Sequence, residues 1–573
     1  MDRYMVESSD ALMNLPSVRR WERPHPAFLI LVVFLLLLFY LPIGSVLLQG
    51  FFPEGNFDIS VFIKTIFSPY TLRILWFTLF QAVLSTLFSL LLGLPGAYLL
   101  SMYTFPGRKL IRAASGVPFV LPPILVVLGF VIFFGNSGIL NTLLMQVFDQ
   151  AEPPLRVLYS LKAIILAHGF YNFPIALRLI ASLWQQLPPS QEWAAQTLGA
   201  PRRRLFFTIT LPQLMPAILA ASALIFMFCF TSFAIILVLG GGPQFTTVEV
   251  EIYRLAKTSF DISAAGALSI VALALTLGIM GLYVKLQNKL AFHQELSTGP
   301  VRPRTYNRPS PLGYVGIVGY IGAMLLIVAG PLLAVVVRSL QKPVSRAGEL
   351  QFTFEWYRQL FGSGARQFGR IALPAVRNSM IIGILAAVTA VAVGTALSYL
   401  TVRYRLKFGK LIDTLSMAPM AISSVILGLG YFLISRSLPE LGRARIFMIV
   451  AAHSVIAYPF VARTVSSVLK KIPPSQLQAA MLLGAPPGRV FRTVEFPLML
   501  PALTAAGAFA FAISMGEINA TLVFSSSTVT IPLAIYRMIG SYNFFGACAL
   551  GTILVAVCAV AFTLFDVSGN TEL

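Results

Sequence analysis

Carboxylates are scarce in this chain: 21 Asp and Glu stand against 42 Lys and Arg, and charged residues of both signs fill only 11% of 573 positions. An ordinary globular domain carries about 25% charged residues, so the chain as a whole does not read as a water-soluble protein. Only four His and three Cys are present. No cluster of nucleophile, base or metal ligands emerges from them, which leaves a membrane-embedded enzyme without its chemistry. Cys229, Cys548 and Cys558 fall inside apolar runs, without the spacing of a disulfide framework or a thiolate zinc site, and read as packing residues. No G-x-x-x-x-G-K-[ST] phosphate loop occurs, and the glycine run from Gly240 to Gln244 lacks both the lysine and a flanking strand. Any ATP-driven work must therefore be done on another chain. No loop exceeds about 40 residues, well short of the ~100 a typical soluble domain needs.

What fills the chain instead is apolar sequence, 57% of all residues. Runs of the roughly 20 residues needed to cross a bilayer recur about twelve times, including 213–239, 413–434 and 499–524. The first, near 27–49, follows Arg19, Arg20 and Arg23. Its apolar core is too long for a signal peptide and no small-residue cleavage site follows, so it reads as an uncleaved anchor. The net charge of +21 is dispersed among short loops, which argues for membrane topology and against nucleic acid. With a cytoplasmic N-terminus, inside segments hold about 22 Lys and Arg and outside segments about 14, as the positive-inside rule requires.

The chain also repeats itself. "LPPSQEWAAQTLGAPRRRLFFTITLP" begins at Leu187, and "IPPSQLQAAMLLGAPPGRVFRTVEFP" begins at Ile472. At the same spacing, "AHGFYNFPIALR" answers "AHSVIAYPFVAR", pairing His168 with His453, Pro174 with Pro459 and Arg178 with Arg463. Upstream Pro118 and Gly129 match Pro419 and Gly430, and downstream the Ile-Tyr-Arg ending at Arg254 matches that ending at Arg537. The order of elements is the same in both copies. The expectation is an all-α membrane protein with about twelve transmembrane helices in two parallel six-helix repeats, 1–287 and 312–573, related by an axis along the membrane normal. The polar, proline-rich stretch 288–311 reads as a cytoplasmic linker.

Within the repeated segments 187–212 and 472–497, Ser190 and Ser475 follow Pro-Pro pairs and are placed to cap a helix; Gln478 completes a capping box, and Glu192 sits in the first turn. Gly199 and Gly484 supply the left-handed C′ position, with Pro201 and Pro486 two residues on to stop the helix. The product is a short helix of about eight residues. Its small faces, Ala194–Ala195 and Ala479–Ala480, admit close approach, and Arg202, Arg203, Arg204, Arg489 and Arg492 stand nearby. One such loop could simply rest on lipid headgroups. Two at equivalent places favour a pair of docking knobs.

Polar groups inside spans are the default pathway candidates. Glu517 and Asn519 fall in the eleventh run, opposite Thr231, Ser232 and Ala234 of the fifth, so the cavity between the repeats is expected to be asymmetric, with one carboxylate. His168 and His453, a matched pair, are expected to bond interhelical carbonyls.

The two loops resemble the EAA loops of bacterial ABC-importer permeases, whose pattern is E-A-A-x-x-x-G, nine residues, then I-x-L-P. Trp193–Ala194–Ala195 leads to Gly199 and on to Ile209, Leu211 and Pro212; Gln478–Ala479–Ala480 leads to Gly484 and on to Val494, Phe496 and Pro497. The leading glutamate is replaced by Trp193 and Gln478, with Glu192 one place early. Segments 161–286 and 531–556 are similar to the fused thiamine/ferric-iron branch of that family, most of all to thiamine permeases. The resemblance implies the MetI-like permease fold and alternating access in a bacterial inner membrane. It also implies two copies of a cytoplasmic ATPase subunit that hold ATP and Mg, an external substrate-binding protein, periplasmic or lipid-anchored, and no cofactor on this chain. Thiamine is the expected cargo and ferric iron the alternative. An ion-driven secondary transporter is the competing class; it would have no use for two capped docking helices.

Overall fold

A computed structural model describes residues 28–108, 111–112, 121–188, 190–296, 308–343, 350–361, 367–404, 409–438, 445–524 and 528–569. Arg19, Arg20, Arg23 and Pro118 lie outside the described residues. In a hydrocarbon slab every backbone N–H and C=O must be satisfied within the segment, so apolar sequence of this length folds as helix. Among the described residues, eleven helices are long and apolar enough to span a membrane, and a twelfth span is formed if the bent pair Leu411–Ala421 and Ser424–Ser437, meeting at 94°, counts as one. The count matches expectation; the shape of individual spans departs from it.

The run 213–239 is not one helix. It stops at Phe230 and resumes as Ala234–Leu239. Likewise the eleventh run stops at Gly516 and resumes as Asn519–Phe524, so Glu517 sits at the break and not within a helix. The predicted linker also begins later, because the sixth span continues as helix Ile262–Leu296; residues 297–307 are outside the described part. Ser310 then caps the seventh span, accepting from Gly313 N. Beyond that span, strands Gln341–Pro343 and Leu350–Phe352 pair antiparallel, Gln341 opposite Phe352, ahead of helix Glu355–Phe361.

Four π-turns mark repeat-equivalent places: Leu36–Tyr40 and Leu325–Ala329 in the first span of each repeat, Phe206–Thr210 and Phe491–Glu495 at the start of the fifth. Each is followed two residues on by a proline, namely Pro42, Pro331, Pro212 and Pro497. A proline in a continuing helix removes one N–H and crowds the carbonyl a turn earlier. Widening that turn by one residue relieves the clash without ending the helix.

The first span of each repeat packs against the other repeat as well as its own. Gly430, in the second repeat, lies so close to the first span that a Cβ there would stand 2.3 Å from Pro42 O; Gly129 in the first repeat stands in the same relation to the seventh span, its Cβ falling 2.9 Å from Pro331 O. Only a glycine permits these crossings. Tyrosines pin the same contacts: Tyr431 Oη donates to Leu38 O at 2.8 Å, Tyr40 Oη to Leu415 O at 2.8 Å, and Tyr320 Oη to Leu92 O at 3.0 Å. Each repeat is thus clasped by a helix of the other.

Gly430→Ala is expected to cost about 1–3 kcal/mol through overpacking against backbone and to lower the unfolding temperature. Gly281→Ala, on an open helix face with nothing within 4 Å, should be neutral or stabilising by up to about 1 kcal/mol. Thermal unfolding of the two purified variants in detergent checks the contrast.

Candidate functional site

Both short helices form. The first runs Ser190–Thr197 and the second Pro474–Leu482. In the second, Pro473 occupies the cap position and Pro474 the first turn, so Ser475 lies inside the helix and the capping box with Gln478 is not formed. Proline, with no N–H to orphan and its φ preset, outcompetes serine for the helix start. The first helix begins with Ser190 itself; Pro189 lies outside the described residues.

The C-termini follow expectation in detail. Gly199 has φ +78° and Gly484 φ +82°. Gly199 N donates to Gln196 O at 2.9 Å and Ala200 N to Ala195 O at 3.0 Å; Gly484 N donates to Met481 O at 2.9 Å and Ala485 N to Ala480 O at 3.1 Å. These are the paired bonds of a Schellman cap, twice over. Pro201 and Pro486 follow in the open, each opening one further turn, Arg202–Leu205 and Pro487–Val490. Ala194 and Ala479 are exposed and Ala195 and Ala480 half-buried. Apolar side chains crown both knobs: Trp193 is 50% exposed, Leu198 88%, Leu482 83% and Leu483 89%.

The spans below the two knobs are held differently. Thr210 and Glu495 hold equivalent positions at the foot of the fifth and eleventh spans. Thr210 Oγ1 donates to Glu192 Oε1 at 3.3 Å. Glu495, by contrast, is 2% exposed, accepts from Arg403 Nε at 2.7 Å and Tyr399 Oη at 2.8 Å, and so locks the eleventh span to the eighth.

Deeper in the molecule, the breaks at 231–233 and 517–518 face each other across a cavity of about 290 Å³ between the repeats. Ser232, Glu517 and Asn519, the expected pathway residues, all line it. Glu517 Oε1 accepts from Ala520 N at 2.9 Å, bridging the break, and Asn519 Nδ2 donates to Ser424 Oγ at 3.0 Å in the bend of the ninth span. Neighbouring Ser423 donates to Glu249 Oε2 at 2.6 Å, a fully buried carboxyl from the first repeat. Phe228, Phe460 and Phe509 supply apolar walls.

Three further polar lining residues come from the fourth span: His168, Tyr171 and Asn172. Sequence reasoning set His168 aside and passed over the other two. Tyr171 Oη donates to Leu121 O at 2.9 Å and fixes the entry to the third span. The histidines bond hydroxyls and not carbonyls: His168 Nδ1 meets Ser85 Oγ at 2.9 Å, while His453 meets Ser514 Oγ at 2.8 Å through Nδ1 and Thr521 Oγ1 at 3.0 Å through Nε2. The repeat alignment places Ile236 where Thr521 stands. His168 Nε2 is accordingly left without a partner, as are Asn172 Oδ1 and Asn519 Oδ1. Asn172 corresponds to Ala457, a polar-for-apolar difference that the repeat alignment already contained.

The model of the family described as binding-protein-dependent transport system inner membrane component matches residues 85–291 and again 390–569. The chain belongs to that family. Each match takes in one capped helix and one wall of the cavity. Among similar curated proteins, the thiamine transport system permease protein of Brucella abortus (strain 2308) is 29% identical over 521 residues, covering 90% of this chain and 89% of its own. That of Escherichia coli (strain K12) is 27% identical over 503 residues, 87% and 89% of the two chains. The ferric transport system permease protein of Actinobacillus pleuropneumoniae is 24% identical over 554 residues, 95% of this chain and 78% of the relative. For a membrane component of this family, the asymmetry of the two anchors is open to test. Glu495→Ala would leave the Arg403 guanidinium, 15% exposed, without its carboxylate and is expected to cost about 3–5 kcal/mol. Glu192→Ala, which removes the half-buried hydrogen bond from Thr210, should cost about 1 kcal/mol or more, both read from thermal unfolding.

Proposed function

We propose that this chain is the permease subunit of a binding-protein-dependent ABC importer that carries thiamine across the bacterial inner membrane by alternating access. Its two repeats each present one capped helix to a copy of a cytoplasmic ATPase subunit, which holds ATP and Mg, and an external binding protein delivers cargo to the opposite face. The N-terminus lies in the cytoplasm, on the side of the Lys- and Arg-rich loops. The observation that carries the reading is the duplicated, Schellman-capped helix with exposed apolar crowns. Apolar surface held out on a rigid stub marks a protein interface, and two equivalent stubs on one chain call for two equivalent partners. Thiamine is supported by relatives of that name aligned over about nine-tenths of the chain. It is supported too by a cavity lined by one carboxylate and several phenyl rings, suited to an aromatic cation.

Uptake of labelled thiamine and of ferric iron, by cells lacking their own systems and supplied with this chain, its ATPase and its binding protein, tests the assignment. Thiamine accumulation that stops on ATP depletion supports it; ferric uptake without thiamine uptake, or uptake driven by an ion gradient with no ATPase bound, replaces it. The docking role has its own test. A double Gly199→Val, Gly484→Val variant forces β-branched residues into left-handed backbone, a strain of roughly 1–2 kcal/mol at each site, although space around both glycines is open. Membrane insertion should persist while ATP hydrolysis loses its coupling to uptake; normal uptake by the variant would remove the docking assignment.

A further inference from the structure

We propose that the second repeat carries a site for an anionic phospholipid, its phosphate held between Arg370 and Arg537 and its acyl chains laid along an exposed stripe of the eighth span. The site lies on the face away from the two knobs and is independent of the cargo. The eighth span runs Phe368–Arg403. Arg403, at its far end, pairs with Glu495 at the foot of the eleventh span, below the second knob; Arg370, near its start, is roughly 50 Å away along the helix at 1.5 Å per residue.

Two matching hydrogen bonds set the register between the repeats at this level. Val248 N donates to Thr78 Oγ1 at 3.0 Å, and Ile531 N donates to Ser379 Oγ at 2.8 Å. Counting from those pairs, Arg537 answers Arg254, Ala534 answers Glu251, Ile371 answers Tyr70, and Arg370 and Arg377 answer Pro69 and Trp76. Equivalent pockets open beside the two matched arginines. One of about 460 Å³ includes Tyr70, Thr246, Arg254 and Thr258; the other, of about 200 Å³, includes Ile371, Val529, Arg537 and Ser541, joined there by Arg370. Their charge differs. In the first repeat the buried Glu251 accepts from Arg254 Nε at 2.8 Å and from Tyr70 Oη at 3.2 Å, so the pocket's arginine meets an anion of the chain itself. In the second, alanine and isoleucine stand in the places of that carboxylate and that phenol, a further arginine is added, and no Asp or Glu is among the described lining residues. Two guanidinium groups at one small pocket suit a phosphate, which accepts several charge-assisted hydrogen bonds at once.

The surface that continues from the pocket selects a lipid. Arg370, Leu373, Arg377, Ile381, Ile384 and Val388 recur three or four residues apart, so they share one face of the helix, and all six are exposed. The counterpart stripe of the first repeat, Leu72, Trp76, Phe80, Val83 and Leu87, is exposed and wholly apolar. Its one neighbouring exposed arginine, Arg73, matches Pro374. Exposed aliphatic side chains within a span face acyl chains, and basic groups at the head of that stripe meet headgroups. Cationic head and aliphatic stripe together reproduce the two parts of a phospholipid, whereas an acidic protein partner would use the arginines and leave the stripe idle. The phosphate also has work to do on the chain. Arg537 belongs to helix Ile531–Gly540, which Ser379 ties to the eighth span at its start; a phosphate between Arg370 and Arg537 adds a second tie near its end.

The test compares phosphatidylglycerol with phosphatidylcholine of identical acyl chains, bound to the full chain in detergent and read by native mass spectrometry. Wild type is expected to hold phosphatidylglycerol about tenfold more tightly, the order of one charge-assisted hydrogen bond. Arg370→Gln with Arg537→Gln should abolish the preference, and Arg73→Gln should leave it unchanged. A second pair, Arg370→Gln with Arg377→Trp, alters only exposed side chains and installs the first repeat's tryptophan; it should reduce the preference severalfold even where the first pair fails to fold. Equal retention of the two lipids by wild type, or a preference that survives the variants, overturns the site, and loss of the preference in Arg73→Gln alone overturns its location. Inorganic phosphate held as tightly as phosphatidylglycerol overturns the part given to the stripe. Variants that keep the lipid preference but lose affinity for the external binding protein overturn the lipid and assign the pocket to a protein carboxylate.

Discussion

Backbone that leaves helical geometry inside a membrane must find its hydrogen bonds within the protein, and in this molecule that constraint places the cavity. The fifth and eleventh spans both stop short, at Phe230 and Gly516, and restart a few residues later. Such breaks cannot face lipid. They are covered by the opposite repeat: Pro122, fixed through the Tyr171 hydrogen bond to Leu121, packs 3.3 Å from where a Cβ on Gly516 would stand, and Glu517 closes its own break by accepting from Ala520 N. Irregular backbone and lined void are two aspects of one arrangement.

The first spans tie the two repeats together. Gly430 against Pro42 and Gly129 against Pro331 are contacts of backbone on backbone, too close for any side chain to slide through. Apolar side chains gain little by leaving lipid for one another, so association in a bilayer rests on such close packing and on interhelical hydrogen bonds; the tyrosines donating to Leu38, Leu415 and Leu92 carbonyls supply the latter. The repeats are held as one interlocked body around the void, and other contacts between them are of different construction. One is the bend at 422–423, where Ser423 reaches Glu249 of the other repeat and Ser424 reaches Asn519 at the cavity. A shift at that bend must disturb an inter-repeat contact and a lining residue together.

Sequence alone exposed the parts governed by local rules. Twelve apolar runs, the parallel repeats and the glycine C-caps at Gly199 and Gly484 were legible because length, internal similarity and left-handed backbone each leave a direct signature. The aligned pair Gly129 and Gly430 was visible as a match, but its meaning was not: that a glycine serves as a crossing point depends on what lies opposite, a non-local fact. Helix starts were misread at Ser475 because a serine N-cap and a proline first turn compete within the same tripeptide. The breaks at 231–233 and 517–518 escaped because Phe233 and Ile518 keep the hydrophobic run unbroken. His168 was given carbonyl partners it does not have, since a sequence names a polar group without naming its neighbour. Asn172 was legible in principle, as an amide in the fourth span set against Ala457 in the tenth.

Fusing two repeats on one chain frees them to differ, and where they differ is informative. The features that must serve equivalent neighbours are duplicated almost without change: π-turn before proline, glycine crossing, capped helix. At the foot of the spans the contacts diverge: Thr210 donates to Glu192 in one repeat, while its counterpart Glu495 pairs with Arg403 in the other. Around the cavity they diverge most, one wall carrying His168, Asn172, Ser232 and Phe228, the other Glu517, Asn519, Phe460 and Phe509. A two-fold symmetric chamber could offer only matched pairs of groups to its contents, which suits a symmetric or featureless cargo. A small molecule with one charged end and one hydrogen-bonding edge has no such symmetry. A chamber whose two walls present different chemistry can hold it in one orientation, and a single fused chain can encode that difference once, with no second gene product to misassemble.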